Sequence, residues 1–270
     1  YEIIRQGIVG LEAIAPISDA STDMLIGTGC VTQVTGAWVG NVSGGLGHNY
    51  RRAFENRDAS SIKLNDHSNF SLGMALMAGA YGMPYAPLRS ILGSDIVKSN
   101  DQFITAENPF SDNNDPVVLV PPVIPDVAIL VVQRADAQGN NHFWGSRGLA
   151  EEAALAAEKV ILLANEIVEP AVILSDPSRV LVPGYRITAV CHVPAAAHPA
   201  PQTGCWKRDN DFFNDYHKRS RTVEGFGEWL DEWVFGVADH DAYRAKLGTA
   251  LDELKITGQA LAAPVNYAAV

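Results

Sequence analysis

The sequence predicts an α/β domain built on an open, largely parallel sheet with helices on both faces. Three observations predict it. Short β-branched runs alternate with helical stretches along most of the chain. One run, Asp126-Val-Ala-Ile-Leu-Val-Val-Gln133, is apolar almost throughout, as a central parallel strand buried on both faces must be. After it come a helix rich in alanine and glutamate and then a second apolar run, in the order of a β-α-β unit. With 270 residues, 47% of them hydrophobic and 19% charged, the chain can bury a substantial core, and residues 1–270 are read as one domain.

Tyr1-Glu-Ile-Ile-Arg-Gln6 reads as the amphipathic end of a helix running into Gly7, which implies that something lies upstream; no signal peptide is visible. Leu11 to Ile17 is the first strand, against the resistance of Pro16, which cannot donate to a ladder. Ala37 to Val42 is the next, followed by Ser43-Gly-Gly-Leu-Gly47 and a helix from about Asn49. From Asn69 to Tyr81, Leu72, Leu76, Met77 and Ala80 recur at helical spacing, with Ser68 or Asn69 as the N-cap. The apolar strand ending at Gln133 runs into a turn over Asp136 to Asn141; a helix over Leu149 to Lys159 and a strand over Val160 to Asn165 complete the β-α-β unit. Arg186 to Val193 is a further strand. A Pro/Ala/His loop leads to Gln202, and a tail of helices carries Phe212, Phe213, Tyr216, Phe226, Trp229 and Trp233, to be laid over the domain or against another subunit.

Composition excludes several functions. A formal net charge of -11 repels a phosphate backbone, so nucleic acid is not an expected partner, and no apolar run is long enough to cross a bilayer. Three cysteines, Cys30, Cys191 and Cys205, fall in no paired spacing, which suits a reducing compartment and a cytoplasmic protein. Cys191, His192, His198 and Cys205 raise the question of zinc, but neighbours on a strand point to opposite faces, and no metal is expected.

The ordered set Gly27-Thr-Gly-Cys30, Val39-Gly-Asn-Val42, Gly45-Leu-Gly-His-Asn49, Ser68-Asn-Phe-Ser-Leu72, Gly82-Met-Pro-Tyr-Ala-Pro-Leu-Arg-Ser90, Leu92-Gly-Ser-Asp-Ile96, Asp136-Ala-Gln-Gly-Asn140 and the Val193 to Pro199 loop resembles the first, or alpha, subunit of family I CoA transferases. It resembles most the glutaconate CoA-transferase-like branch, which pairs a Ser-Asn-Phe segment with Pro-x-x-Pro-x-Arg-Ser-x-Leu-Gly-Ser/Thr-Asp. The resemblance covers nearly the whole chain and implies the open α/β fold shared with sugar-phosphate isomerases. It implies a heteromer with a second, beta subunit of the CoA transferase, no tightly bound cofactor, and an acyl-CoA and a carboxylic acid as substrates. It also puts the glutamate nucleophile on the beta subunit rather than on this chain. The family's first strand and its glycine-rich loop, which precede the Tyr1 helix, are missing.

Each candidate has a plainer reading beside the functional one. Ser68 and Asn69 open a helix, where free N–H groups favour a carboxylate or a thioester oxyanion, although capping alone accounts for both. The resemblance places this segment in the cleft. In a hydrolase branch of the same fold, acting on CoA thioesters of steroid-ring fragments, a glutamate stands near position 69; an amide here favours transfer. Arg89 suits bidentate capture of a carboxylate, or a structural ion pair with a partner such as Asp95. Gly44, Gly45 and Gly47 have the composition of a phosphate-cradling loop without the dinucleotide or P-loop spacing, and His48 beside them is either an acid/base or a structural histidine. His198 belongs to the loop that the resemblance puts near the cleft. Glu107, in Ala-Glu-Asn-Pro, reads as a solvated loop acid, not a nucleophile.

The reading is therefore the alpha subunit of a two-subunit CoA transferase moving CoA between short-chain or dicarboxylic acids, with Ser68, Asn69, Arg89, Gly45, His48 and His198 as substrate-binding residues. Two alternatives stand: an acyl-CoA thioester hydrolase on the same fold, and a non-catalytic ligand-binding module, since fold does not fix function.

Overall fold

In the computed structural model of the chain, residues 1–41, 44–55, 62–113 and 115–257 are described. They divide into two compact units. The first holds Tyr1–Ala75, Tyr85–Pro121 and Asn210–Gly248; the second holds Leu76–Pro84, Pro122–Asp209 and the residues from Thr249 on.

In the first unit, β1 (Leu11–Ser18) pairs in parallel with β2 (Val31–Asn41), which also takes β3 (Gly45–Leu46) antiparallel and β4 (Lys63–Asp66) parallel. Pro16 is tolerated because β1 is an edge strand among the described residues: Ala15 and Ile17 pair with Gly36 and Trp38, and Pro16 has no partner there. β2 starts six residues before the Ala37 at which sequence pattern places it. Thr32, Gln33, Thr35 and Gly36 break its apolar run, but it has a hydrogen-bonded neighbour on each side, and the ladder overrides composition. Val42 and Ser43, the end of the expected strand and the start of the glycine-rich turn, lie outside the described residues. Ile26, Val31, Val34 and Val39 form the core between this sheet and the helices Ala20–Gly27 and His48–Glu55.

A second sheet of this unit is antiparallel, β5 (Ala86–Leu88), β6 (Ile104–Glu107) and β7 (Pro116–Val120) in the order β5-β7-β6, and was not anticipated. Two of its strands are only three and four residues long, too short to show a period. The aromatic tail folds back on this same unit. Trp229, 1% exposed, is met edge-on by Tyr1, Phe212 and Tyr216 at centroid distances of 6.0, 5.8 and 4.9 Å.

The second unit contains the expected β-α-β unit: β8 (Val127–Ala135), with β9 (Asn141–His142) antiparallel on its edge, then the helix Ala150–Ala156, β10 (Lys159–Ile167) and β11 (Ala189–His192), the last two parallel to β8 and to each other in the order β11-β10-β8. Asp136 builds the turn before β9, its carboxylate accepting from the backbone N–H groups of Gln138 and Asn140 at 2.9 and 3.0 Å. The helix is shorter than its composition suggests because the N–H groups of Glu158 and Lys159 bond to Pro125 and Asp126 and are drawn into the sheet. Arg186, expected in a strand, instead lies in the turn Gly184–Arg186, and its guanidinium caps that helix by donating to the carbonyls of Ala154, Leu155 and Ala157.

Candidate active site

In open α/β sheets, ligands gather outside the carboxyl ends of the parallel strands. In the first unit β4 delivers His67 and Ser68 to that edge, with the N–H of His67 still bonded to the Gly36 carbonyl of β2 at 3.0 Å. The helix Asn69–Ala80 begins immediately after. Ser68 is its N-cap: Ser68 Oγ accepts from the Ser71 N–H at 3.0 Å, and Ser71 Oγ accepts from the Ser68 N–H at 2.9 Å. This is a capping box in which a second serine replaces the usual acid or amide. It uses the N–H groups of Ser68 and Ser71 and leaves those of Asn69 and Phe70 without a partner among the described residues. Both side chains are exposed, and the positive end of the helix dipole points the same way.

Beneath the cap lies His67, 2% exposed, with Nδ1 3.1 Å from Ser71 Oγ and its ring edge-on to Phe103 at 5.1 Å. Burial pulls its pKa down to about 4, so the ring is neutral at ordinary pH. Its Nε2 is buried and has no hydrogen-bond partner among the described residues.

The glycine-rich turn is positioned differently. A Cβ on Gly40 would stand 2.4 Å from the Gly45 carbonyl oxygen, and one on Gly47 would stand 2.2 Å from the Asp23 carboxylate, so both positions require glycine. Asp23, 0% exposed, accepts from the Tyr50 N–H at 2.8 Å, Asn49 Nδ2 at 3.1 Å and the Tyr216 hydroxyl at 2.6 Å. Burial first, and then Asp23, push the Tyr216 phenol well above its usual range and keep it a donor. His48 packs against His217 with the rings tilted by 38° at a centroid distance of 4.4 Å, and its Nε2 is buried without a partner among the described residues. Burial lowers the pKa of both rings, and repulsion from His217 lowers that of His48 further. Gly45 lies exposed in β3 at a φ of 101°.

Arg89 does not pair with Asp95, which instead takes Lys98 at 2.9 Å. It lies 3.8 Å from Asp115, with 67% of its side chain exposed. His198, in the second unit, holds Asp209 at 3.1 Å with its side chain 3% exposed. Glu107 ends β6 rather than lying in a loop, and is exposed. No cluster of three or more histidine, cysteine, aspartate or glutamate side chains able to hold a metal occurs among the described residues.

Gly45, His48, Ser68, Asn69 and Arg89 thus share one unit, and His198 lies in the other. The glycine-rich turn and Ser68 leave the same sheet edge at different levels, since β2 runs on from Gly36, opposite the end of β4, to Asn41, about 16 Å of strand. Sequence reasoning missed Asp23, His67, Ser71, Tyr216 and His217. The pair His67 and Ser71, four apart at a helix start, carried a local signal. His217 lies 169 residues from His48 in sequence, and nothing local links them.

The same arrangement of chain occurs in known proteins. The coenzyme A transferase family model matches residues 1–192. The alpha subunit of the 3-oxoadipate CoA-transferase of Pseudomonas knackmussii is 37% identical over 248 residues, 92% of this chain and 86% of that one. The alpha subunit of the glutaconate CoA-transferase of Acidaminococcus fermentans is 33% identical over 274 residues, 95% of this chain and 84% of that one. The crystal structure of the Acidaminococcus enzyme superposes with a TM-score of 0.90 over 98% of this chain and 87% of that chain, at 32% identity. The cholesterol ring-cleaving hydrolase IpdA subunit of Mycobacterium tuberculosis is more distant, 25% identical over 194 residues, 69% of this chain and 66% of that one. The chain belongs to the coenzyme A transferase family, as an alpha subunit of its two-subunit family I branch.

Proposed function

We propose that this chain works with a beta subunit to exchange CoA between dicarboxylic acids of the glutaconate and 3-oxoadipate kind, and that the turn Ser68–Phe70 with Arg89 forms its acid-binding side. The observation that carries the reading is the doubly capped turn. Its serines satisfy each other, and the two N–H groups left over belong to exposed residues at a helix N-terminus, the arrangement that stabilises a carboxylate or a thioester oxyanion. Arg89, held among the described residues by a long exposed pair to Asp115, can exchange that partner for the far carboxylate of a diacid. Gly45 offers an exposed backbone beside the turn that His48 secures by packing against His217, and His198 fixes the loop leading to Asp209. The nucleophilic glutamate belongs to the beta subunit, CoA arrives as the substrate thioester, and the complex works in the cytoplasm.

The test is exchange. Co-expressed with its partner, the chain is incubated with glutaconyl-, glutaryl- or 3-oxoadipyl-CoA and with acetate or succinate, and acyl-CoA species are followed by mass. New acyl-CoA that forms only when an acceptor acid is present is the expected result. Free CoA accumulating equally without acceptor establishes a hydrolase instead, and acyl-CoA binding without turnover of any donor establishes a binding module.

A further inference from the structure

We propose that His67 is a positioning residue for the acid-binding turn: through the Ser71 hydroxyl it fixes Ser68, so that the Asn69 and Phe70 N–H groups meet the substrate carboxylate in a set direction. The proposal rests on the reading of that turn as the acid-binding side. Its basis is a count of protons and acceptors. Ser71 Oγ, 0% exposed, has one hydrogen to donate and two acceptors in reach, Nδ1 of His67 at 3.1 Å and the Ser68 carbonyl at 3.2 Å. The Ser68 carbonyl already receives the Leu72 N–H at 3.0 Å, whereas Nδ1 of His67 has no other donor among the described residues. In one ring tautomer Nδ1 takes the hydroxyl hydrogen; in the other Nδ1–H donates to Ser71 Oγ while the hydroxyl keeps the Ser68 carbonyl, and in both the ring holds Ser71 in place. Either leaves a Ser71 lone pair aimed at the Ser68 N–H, 2.9 Å away, and sets the N-cap from which the first turn springs.

The ring is itself immobilised. Phe103 closes on it edge-to-face, and the neighbouring Asn100, 3% exposed, ties the same loop to the Asp66 carbonyl at 2.9 Å. A histidine that burial keeps neutral holds the same bond to Ser71 throughout the range in which a carboxylate substrate is ionised. The polar path runs from the interior outward: ring to Ser71, Ser71 to Ser68, Ser68 to the two free N–H groups. Its alignment matters because a donor displaced by a fraction of an ångström binds its acceptor much more weakly.

The experiment uses the assembled two-subunit enzyme and three variants of this chain, with kcat, KM for the acceptor acid, KM for acyl-CoA and melting temperature measured for each. His67→Leu fills the site without an acceptor. His67→Asn places an amide oxygen about where Nδ1 stands. Asn69→Pro removes one of the two free N–H groups at the first helical position, where proline is well accommodated. Asn69→Pro and His67→Leu are both expected to raise KM for the acid about tenfold, the loss of one charge-assisted hydrogen bond. The melting temperature should stay near wild type, and His67→Asn should recover most of the lost affinity. If Asn69→Pro raises KM for the acid and His67→Leu does not, the positioning role is overturned while the acid-binding reading stands. A His67→Asn variant as impaired as His67→Leu also overturns it, because packing alone then accounts for the residue. If Asn69→Pro leaves KM for the acid unchanged, the acid-binding reading falls and this proposal with it.

Discussion

Arg89 and Tyr216 mark the two ends of the range over which single side chains act in this protein. Arg89 reaches Asp115 at 3.8 Å across an exposed surface, a pair worth at most about 1 kcal/mol. Arg89→Gln should therefore leave the melting temperature unchanged, while raising KM for a dicarboxylic acceptor roughly tenfold or more and leaving acetate unaffected, a contrast read from steady-state kinetics with the two acids. Tyr216 is 3% exposed and gives its hydroxyl proton to the buried Asp23 carboxylate at 2.6 Å. Tyr216→Phe should cost about 2 kcal/mol in denaturant unfolding, because Asp23 keeps its other donors but loses a charge-assisted bond in a dry site. The first of these residues was singled out in the sequence, as an arginine between Pro87 and a glycine turn that suits either a carboxylate clamp or an ion pair. The second was not: Asp23 and Tyr216 are ordinary residues on ordinary helices until the fold sets them side by side.

At the scale of elements, legibility followed how strongly a local pattern constrained the backbone. The helix Asn69–Ala80, with its serine cap and apolar spacing, and the apolar strand β8 lie within two residues of where the sequence puts them, because each is specified by its own residues. β2 and the antiparallel sheet β5-β7-β6 depend on neighbours for their hydrogen bonds, and their sequences say less. Glycines show the same division. Gly40 is required by the return of the chain through β3, so Gly40→Ala should cost about 2 kcal/mol by forcing the Gly45 carbonyl away from a contact that would be 2.4 Å. Gly227, within the helix Val223–Leu230, has nothing among the described residues within 4 Å of a Cβ, and Gly227→Ala should stabilise by about 0.5–1 kcal/mol. Urea unfolding of the two variants measures both, and effects of equal sign would show that the turn yields.

For the molecule as a whole, acid acts through histidines that the fold keeps uncharged. His48, His67, His142 and His217 all have their pKa lowered, with burial the largest cause in each, and His67 is brought to about 4. An unfolded histidine titrates near 6.5, so below that pH the unfolded chain binds protons that the native chain refuses. Stability is then complete above about pH 7 and falls as the pH drops. For His67 the loss runs from about 6.5 to about 4 and amounts to about 3 kcal/mol, since each pKa unit is worth 1.36 kcal/mol. Below about pH 4 the folded ring also takes its proton and the loss from this residue stops growing. The neighbouring Asp66 works in the opposite sense, because burial raises its carboxyl and acid favours its folded form, offsetting part of the decline. Urea midpoints at pH 8, 7, 6 and 5 should therefore be level at first and then fall for the wild type. They should fall less steeply for His67→Leu, which has no ring to protonate and which becomes the more stable of the two toward pH 5. Parallel curves would place the acid sensitivity in the other three histidines and would mean that the ring beneath the Ser68 cap accepts a proton as readily in the folded chain as in water.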